Sequence, residues 1–184
     1  MGYQSKRSKL VTWGLLALLL VVLIAKTFFI GYYKIPQNGM YPNLPAGSSL
    51  FANKRAYDGP SSVKRGDIVI FVREQDGRKY NYIWRVVGLP GDKVEAIEGS
   101  LKINGEPVQR ERLRELGGKT IFREQIGEAS YEIALGQSQS PQIPNASVTV
   151  PEAHFFVMGD NRFDAWDSRK FGPIPFNSII GKKL

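Results

Sequence analysis

The 184-residue sequence contains no cysteine and a single histidine, His154. Without cysteine the chain cannot be a disulfide-stabilised domain, and it cannot use a thiol nucleophile. No Gly-x-Ser-x-Gly motif is present to partner His154, so a histidine at the start of a strand is the simpler interpretation. Asp160, Asp164 and Asp167 miss the spacing of a calcium-binding loop. We therefore expect no metal and no cofactor.

The sequence also lacks a concentrated basic patch, although its formal net charge is +8. Its basic residues are scattered, and acidic residues are interleaved with many of them. No zinc-binding spacing, helix-turn-helix pattern or aromatic-basic stacking platform is visible. Nucleic acid is therefore not an expected partner. A basic domain beside an anionic bilayer surface is the simpler explanation of the charge.

One long hydrophobic run, Leu10–Ile30, is interrupted by a charge only at Lys26. About 20 apolar residues in a helix cross a hydrocarbon core of about 30 Å. Tyr32 and Tyr33 follow, as expected of an interfacial aromatic pair. A core helix would show polar residues at helical spacing, and a cleaved signal peptide would have a shorter run closed by small residues. The sequence therefore predicts an uncleaved transmembrane anchor over residues 10–31, with the lipid bilayer as a partner of Leu10–Ile30.

Three basic residues, Lys6, Arg7 and Lys9, precede the anchor. Because positive charge favours the cytoplasmic side, residues 1–9 are predicted to form a cytoplasmic tail and residues 34–184 an extracytoplasmic domain. The predicted location is the cell membrane, with one membrane pass.

Short runs rich in Val, Ile, Phe and Tyr follow the anchor, separated by Gly, Pro or Asp. These runs predict strands at Ser49–Asn53, Asp67–Val72, Tyr80–Val87, Lys93–Ile97, Thr120–Gln125, Ala129–Ala134, Ser147–Val150 and His154–Met158. Turn signals at Glu98-Gly99 and Asn104-Gly105 predict a small meander there. Arg110–Leu116 is expected to be a charged surface turn, and Gln137–Asn145 a polar loop. The predicted fold class is all-β with antiparallel sheets, in one domain after one N-terminal transmembrane α-helix.

Four blocks of the chain resemble the signature motifs of the type I signal peptidase family, in the family's order. They are Ile35–Leu44 (Ile-Pro-Gln-Asn-Gly-Met-Tyr-Pro-Asn-Leu), Arg65–Phe71 (Arg-Gly-Asp-Ile-Val-Ile-Phe), Tyr82–Asp92 (Tyr-Ile-Trp-Arg-Val-Val-Gly-Leu-Pro-Gly-Asp) and Met158–Gly172 (Met-Gly-Asp-Asn-Arg-Phe-Asp-Ala-Trp-Asp-Ser-Arg-Lys-Phe-Gly). Ile179–Lys182 also matches the family's terminal Ile-x-Gly-Lys. The single anchor and compact outer domain resemble the Gram-positive members.

The resemblance implies antiparallel sheets carrying a shallow groove, in which a secreted preprotein lies as an extended strand paired with the sheet edge. Small pockets there admit Ala-like side chains, a serine attacks, and a neutral buried lysine takes its proton. The positions that match the groove are Met40, Pro42, Tyr82 and Ile83. The positions that match residues holding the site walls together are Asp160, Asn161, Arg162, Asp167 and Arg169.

The chain departs from the family at the positions that carry the chemistry. Gly39 stands at the position of the nucleophile, and Trp84 at the position of the general base. Ala165 replaces the serine that helps to orient the lysine. Glycine has no nucleophilic side chain, and an indole nitrogen only donates a hydrogen bond. We therefore expect that no catalytic residue is present, and that Trp84 packs into the former catalytic centre.

Two functions follow from these departures. The first is a catalytically inactive signal peptidase homologue that binds an extended peptide, as a binding or assembly factor for exported or surface proteins such as pilins. The alternative is an active serine endopeptidase with a relocated nucleophile, for which Ser48 or Ser49 with Lys54 is the available pair. Adjacent serines before a strand are also ordinary turn residues.

Overall fold

The computed structural model describes residues 2–97, 99–136 and 145–184. Its helices and strands, in chain order, are α1 Gly2–Phe29, β1 Ile30–Lys34, β2 Ser49–Asn53, β3 Ile68–Gln75, β4 Arg78–Gly88, β5 Lys93–Ile97, β6 Ser100–Ile103, β7 Glu106–Pro107, β8 Gln109–Leu116, β9 Lys119–Ile126, β10 Ala129–Gly136, β11 Ala146–Thr149, β12 His154–Met158, α2 Ser168–Phe171, β13 Ile174–Pro175 and β14 Ile179–Lys183. Glu98 of one predicted turn lies outside the described residues. So does the predicted polar loop, except for Asn145.

The N-terminal helix α1 contains one stretch, Ser8–Phe29, that is long and apolar enough to cross a membrane. The helix begins before the predicted anchor and ends at Phe29, because Ile30 and Gly31 already belong to β1. Two carbonyl groups of its last turn accept hydrogen bonds from Lys54, whose backbone N–H donates to Phe29 O at 2.8 Å and whose Nζ donates to Thr27 O at 3.0 Å. This capping ends the helix and joins it to the end of β2.

Over the described residues, the named strands form three sheets in which every strand pairing is antiparallel. The largest has the order β1-β2-β14-β3-β4-β12-β13, and the smaller ones have the orders β10-β9-β8 and β11-β5-β6-β7. The predicted all-β class is confirmed. The β region begins at Ile30 rather than at residue 34, because β1 pairs with β2 from Ile30↔Asn53 to Lys34↔Ser49.

The predicted meander is present as β5, β6 and β7. Asn104 and Gly105 connect the last two strands with φ angles of 54° and 85°. Positive φ at both central residues is the conformation that an Asn-Gly hairpin turn requires.

The expectation of a surface turn at Arg110–Leu116 is wrong, because these residues belong to strand β8. Their charges are matched across the sheet: Arg110 lies opposite Glu124, and Glu111 lies opposite Arg123 with an ion pair at 2.8 Å. Cross-strand pairs of opposite charge stabilise a sheet, so a highly charged segment is compatible with a strand here.

Two apolar clusters form the core, and strands β4 and β12 contribute to both. Trp84 and Val86 belong to the first cluster and Val87 to the second, which lie on opposite faces of β4. Strand β12 divides in the same way, with Phe155 facing the first cluster and Phe156 the second. Side chains alternate across a strand, so a strand buried on both faces connects the two clusters.

Candidate functional site

The segment between β1 and β2 is folded back on itself and carries Gly39. Ile35 N–H donates to Ser48 O at 2.9 Å, and Gly47 N–H donates to Ile35 O at 2.8 Å. Within this loop, Leu44 N–H donates to Met40 O at 2.8 Å. Because Ile35, Met40 and Leu44 of the loop are buried, the loop is fixed against the core and Gly39 has a defined position.

The side chain of Trp84 points inward from β4 and lies against Gly39. Trp84 is 8% exposed and belongs to the first apolar cluster. A β-carbon placed on Gly39 would lie 2.6 Å from Cζ3 of Trp84 and closer still to Cη2. Such a separation is too short for two carbon atoms. The indole therefore occupies the space that any side chain at position 39 would need.

Gly159 and Ala165 close the same centre from the other side. A β-carbon on Gly159 would lie 2.5 Å from Gly39 O and 3.0 Å from Cζ3 of Trp84, and closer still to Cβ of Ala165. The centre is therefore close-packed by Trp84 and three residues with small or no side chains. Larger residues fit only if this packing changes.

These residues offer no acid-base chemistry. Glycine and alanine have no functional group, and an indole N–H cannot accept a proton near neutral pH. The Trp84 Nε1 atom is buried without a hydrogen-bond partner among the described residues. An unpaired N–H in an apolar site costs free energy, but it does not activate a nucleophile.

Asn161 fixes the backbone beside Trp84. Its N–H donates to Gly39 O at 3.0 Å, and its Nδ2 donates to Asn38 O at 3.0 Å and to Asp164 Oδ2 at 2.9 Å. Asn161 thus connects the segment after β12 to the loop that carries Gly39.

The charged residues predicted to hold the site walls are all buried in ion pairs. Asp167 pairs with Arg169, with Arg169 Nη2 at 2.7 Å from Asp167 Oδ2. Asp160 pairs with Arg85 through two hydrogen bonds of 2.8 and 2.7 Å. Arg162 pairs with Glu124, with Nη1 at 2.9 Å from Oε2 and a second, shorter contact from Nη2.

Sequence reasoning missed two members of these pairs, Arg85 and Glu124. Arg85 follows Trp84 within one of the four blocks that resemble the family's motifs, so the sequence could have indicated it as a site residue. Glu124 lies on β9 in a stretch without any motif, and only the fold brings it to Arg162. Its carboxylate also accepts from Arg110 Nε at 2.9 Å and from Tyr131 OH at 2.8 Å.

The ionisation of this cluster follows from its burial and its partners. Burial opposes the charged form of Glu124, but the guanidinium groups of Arg162 and Arg110 outweigh it and lower the pKa of this carboxyl below its usual range. Burial and the neighbouring carboxylate raise the pKa of Tyr131 well above its usual range. Glu124 is therefore ionised and Tyr131 neutral at pH 7.

An open groove of about 560 Å³ lies between the β1 end and β4. Its lining residues are Tyr32, Tyr33, Lys34, Ile35, Pro36, Gln37, Gly39, Met40, Gln75, Tyr80, Asn81, Tyr82, Ile83, Trp84 and Trp166. We call it the β1–β4 groove. Of the predicted groove residues, Met40, Tyr82 and Ile83 line it, whereas Pro42 lies outside this lining. Sequence reasoning missed Tyr80 and Trp166.

The residues of the relocated-nucleophile alternative are bonded to other groups. Ser48 Oγ donates to Pro45 O, and the hydroxyls of Ser49 and Tyr32 are 2.8 Å apart. Lys54 Nζ donates to Thr27 O, as described above. These contacts give the two serines and the lysine ordinary structural roles. His154 begins β12, as expected, and its Nδ1 is 2.8 Å from Glu152 O.

Comparison with known proteins gives consistent matches along the chain. The family described as "Signal peptidase, peptidase S26" matches residues 7–184. Signal peptidase I of Pseudomonas aeruginosa is 34% identical over 97% of this chain and 72% of the relative. Signal peptidase I T of Bacillus subtilis is 34% identical over 97% of this chain and 85% of the relative.

A crystal structure of a signal peptidase I from Enterococcus faecalis is 30% identical, with a TM-score of 0.39, over 65% of this chain and 95% of that one. The family match covers nearly the whole chain, and the Pseudomonas and Bacillus relatives are each 34% identical to it. The chain therefore belongs to the signal peptidase I family, peptidase S26.

Proposed function

We propose that this chain is a membrane-anchored, catalytically inactive member of the signal peptidase I family that binds an extended segment of an exported or surface protein, such as a pilin. The observation that carries the proposal is the contact between Trp84 and Gly39. In the family's motifs these two positions match the general base and the nucleophile. Here neither residue can exchange a proton, and the indole fills the space of a serine side chain.

The β1–β4 groove supports the binding part of the proposal. Strand β4 pairs with β3 from Arg78 to Arg85, but with β12 only from Arg85 to Gly88. Its other edge, from Arg78 to Trp84, therefore has no strand partner among the described residues. A free strand edge beside an open groove can accept an added strand through backbone hydrogen bonds.

A cleavage assay tests the absence of catalysis. The full-length protein in detergent is incubated with a preprotein that carries an Ala-x-Ala site, and no processing is expected. Processing that is lost on Ser48→Ala with Ser49→Ala would support the relocated pair instead. Processing that survives this double substitution would contradict both interpretations.

A gain-of-function variant tests whether the groove is otherwise intact. Gly39→Ser, Trp84→Lys and Ala165→Ser together restore the residue types of the family's motifs, and we expect measurable cleavage. Gly39→Ser with Trp84→Phe and Ala165→Ser is the matched control, because phenylalanine cannot accept a proton. Equal activity in the two triple variants would show that position 84 does not act as the base.

The anchor orientation is part of the same proposal, with the N-terminus in the cytoplasm and the β region outside, as the basic residues before the apolar run Leu10–Ile30 favour. Because the chain has no cysteine, a single introduced cysteine reports its own side of the membrane. Asp76→Cys is expected to react with a membrane-impermeant maleimide in intact spheroplasts, and Ser5→Cys only after lysis. The opposite labelling pattern would reverse the orientation.

A further inference from the structure

The β1–β4 groove borders the packed centre at Gly39. At Gly39 the indole of Trp84 packs so closely that even one added methyl group on this glycine would overlap it. Gly159 and Ala165 complete this packing from behind. The indole thus fills the space beneath Gly39, and the open volume of the groove lies beside Gly39 and Trp84, which both line it. The remaining room lies along the walls of the groove.

Those walls are aromatic. The aromatic lining residues are Tyr32, Tyr33, Tyr80, Tyr82, Trp84 and Trp166. Three of them remain about half exposed: Tyr32 at 57%, Tyr80 at 45% and Trp166 at 51%. Exposed aromatic rings in a groove offer large, rigid, apolar contact area at a low entropic cost, and they serve as anchors in protein interfaces.

Three of these rings make contacts that favour their observed orientation. Lys170 Nζ lies 5.3 Å from the ring centroid of Trp166, within the range of a cation–π contact. Tyr82 OH donates to Gln75 Oε1 at 2.9 Å, and the Tyr32 hydroxyl is bonded to that of Ser49. Side chains that are already ordered lose less conformational entropy when a peptide binds.

The charge of the lining restricts the peptide further. Lys34 is the one charged residue among the described lining residues. A neutral or acidic segment is therefore favoured over a basic one. A strand added along β4 also points every second side chain to the same face, so its contacts with the aromatic walls come from alternate positions.

We propose that the β1–β4 groove selects an extended, neutral or acidic peptide segment with bulky apolar side chains at alternate positions, and not a segment with small ones. This inference rests on the proposed peptide-binding function and names the class of peptide that the groove takes. The aromatic walls supply the affinity, and the packing at Gly39 removes the advantage of a small side chain.

Fluorescence anisotropy with the full-length protein in detergent tests the selection. Three labelled peptides share one polar, uncharged background. The first has phenylalanine at positions i and i+2, and the second has alanine at those positions. The third has two phenylalanines at i and i+1, so that its composition, and its partition into micelles, equals that of the first. We expect the first peptide to bind at least about tenfold more tightly than the second, and more tightly than the third.

Substitutions in the walls locate the binding. Trp166→Ala and Tyr80→Ala are each expected to weaken binding of the first peptide by about fivefold or more, and to change binding of the second little. Leu116→Ala is the control, because Leu116 is an exposed apolar residue on β8 outside the groove. This variant should bind the first peptide as the parent chain does.

The outcomes separate this inference from the function on which it rests. Equal or tighter binding of the alanine peptide overturns the selection for bulky side chains but leaves peptide binding in place. A phenylalanine preference that is unchanged by both wall substitutions, or a first and third peptide of equal affinity, overturns the assignment to the groove. Binding of none of the peptides contradicts the proposed function itself.

Discussion

The centre around Trp84 and the ion pairs beside it differ in chemistry although Gly159 belongs to both. On one side Gly159 faces Trp84 and Ala165, where no group can ionise. On the other, its N–H donates to Asp167 Oδ2 at 2.9 Å and its carbonyl accepts from Arg162 Nε at 3.1 Å. One glycine therefore separates a region without ionisable groups from a highly charged one.

The difference indicates which part of the family's site has a structural role. Burying a charge costs several kcal/mol unless a partner and further hydrogen bonds compensate it. The pairs Arg85–Asp160, Arg162–Glu124 and Arg169–Asp167 provide such partners beside a centre formed by tryptophan, glycine and alanine. These partners account for the burial of the charges in the folded chain.

The largest effect is expected when one buried charge loses its partner. Glu124→Ala leaves Arg162 charged and fully buried, so we expect the free energy of unfolding to fall by about 3–5 kcal/mol. Urea unfolding followed by circular dichroism in detergent measures this change.

The matched control is Glu111→Ala, one strand away on β8. Glu111 pairs with Arg123 at the surface, with side chains 65% and 50% exposed. Its loss should change the free energy of unfolding by no more than about 0.5 kcal/mol. Equal losses for the two variants would show that the buried pair has no special structural role.

Substitution of Gly39 by serine tests the close packing of Trp84 against Gly39. Gly39→Ser places a β-carbon against the indole, and such overpacking costs about 1–3 kcal/mol. The cost should largely disappear in a Trp84→Ala background, which a double-mutant cycle measures as a coupling energy.

Gly59→Ser is the control for that cycle. A β-carbon on Gly59 meets no atom within 4 Å, and its φ of −179° suits any residue. This substitution should show no coupling to Trp84. Coupling of equal size at both glycines would contradict a direct contact between Gly39 and Trp84.

Acid is expected to lower the free energy of unfolding through the buried ion pair of Glu124. This residue contacts Arg110, Tyr131 and Arg162. Its pKa is lowered in the folded state, so its stabilising contribution is full above the ordinary pKa of about 4.5 and is lost as the pH falls below it. The free energy of unfolding should fall less steeply between pH 5 and 3 in Glu124→Gln than in the parent chain.

Other carboxylates with lowered pKa values, such as Asp92 beside Arg65, contribute acid sensitivity to both proteins and cancel in the difference. Unfolding curves at matched pH values check the prediction. Identical slopes for the parent chain and the variant would mean that Glu124 does not carry the pH dependence.

The smallest effect is expected at Lys54, a candidate for the relocated base. Lys54→Met removes the side-chain hydrogen bond to Thr27 O but keeps the backbone bond to Phe29 O. We expect a loss of about 0.3–1 kcal/mol in thermal unfolding, as for other interactions at helix C-termini. Lys102→Met, at an exposed position on β6, is the control and should lose less.

Much of the fold could be predicted from short-range patterns. Strands β2, β5 and β12 have the predicted bounds, because their β-branched and aromatic residues lie between clear turn signals. Strand β8 was missed because its charges were considered without the strand opposite, where Glu124 and Arg123 neutralise them. Strand β1 was missed because Ile30 and Gly31 continue the apolar composition of the helix. Only pairing with β2 distinguishes them from it.

The site residues that could be predicted all lie within the four family-like blocks, and those outside the blocks could not be predicted. The sequence alone placed Gly39 and Trp84 in one centre, because both stand within resembling blocks. Asp167 and Arg169, which pair with each other, likewise stand within one such block. The sequence did not reveal Glu124 as the partner of Arg162, because 38 residues separate them and the contact exists only after β9 packs against the segment following β12. Nor did it reveal Tyr80 and Trp166 in the groove.

The direct connection of α1 to β1 has a geometric consequence. Phe29 is the last residue of the helix and Ile30 the first of the strand, so no linker separates them. Ten extended residues, the interval from Phe29 to Gly39, span at most about 36 Å. On the proposed function, with α1 in the bilayer and a peptide in the β1–β4 groove, this short connection keeps the peptide near the membrane surface.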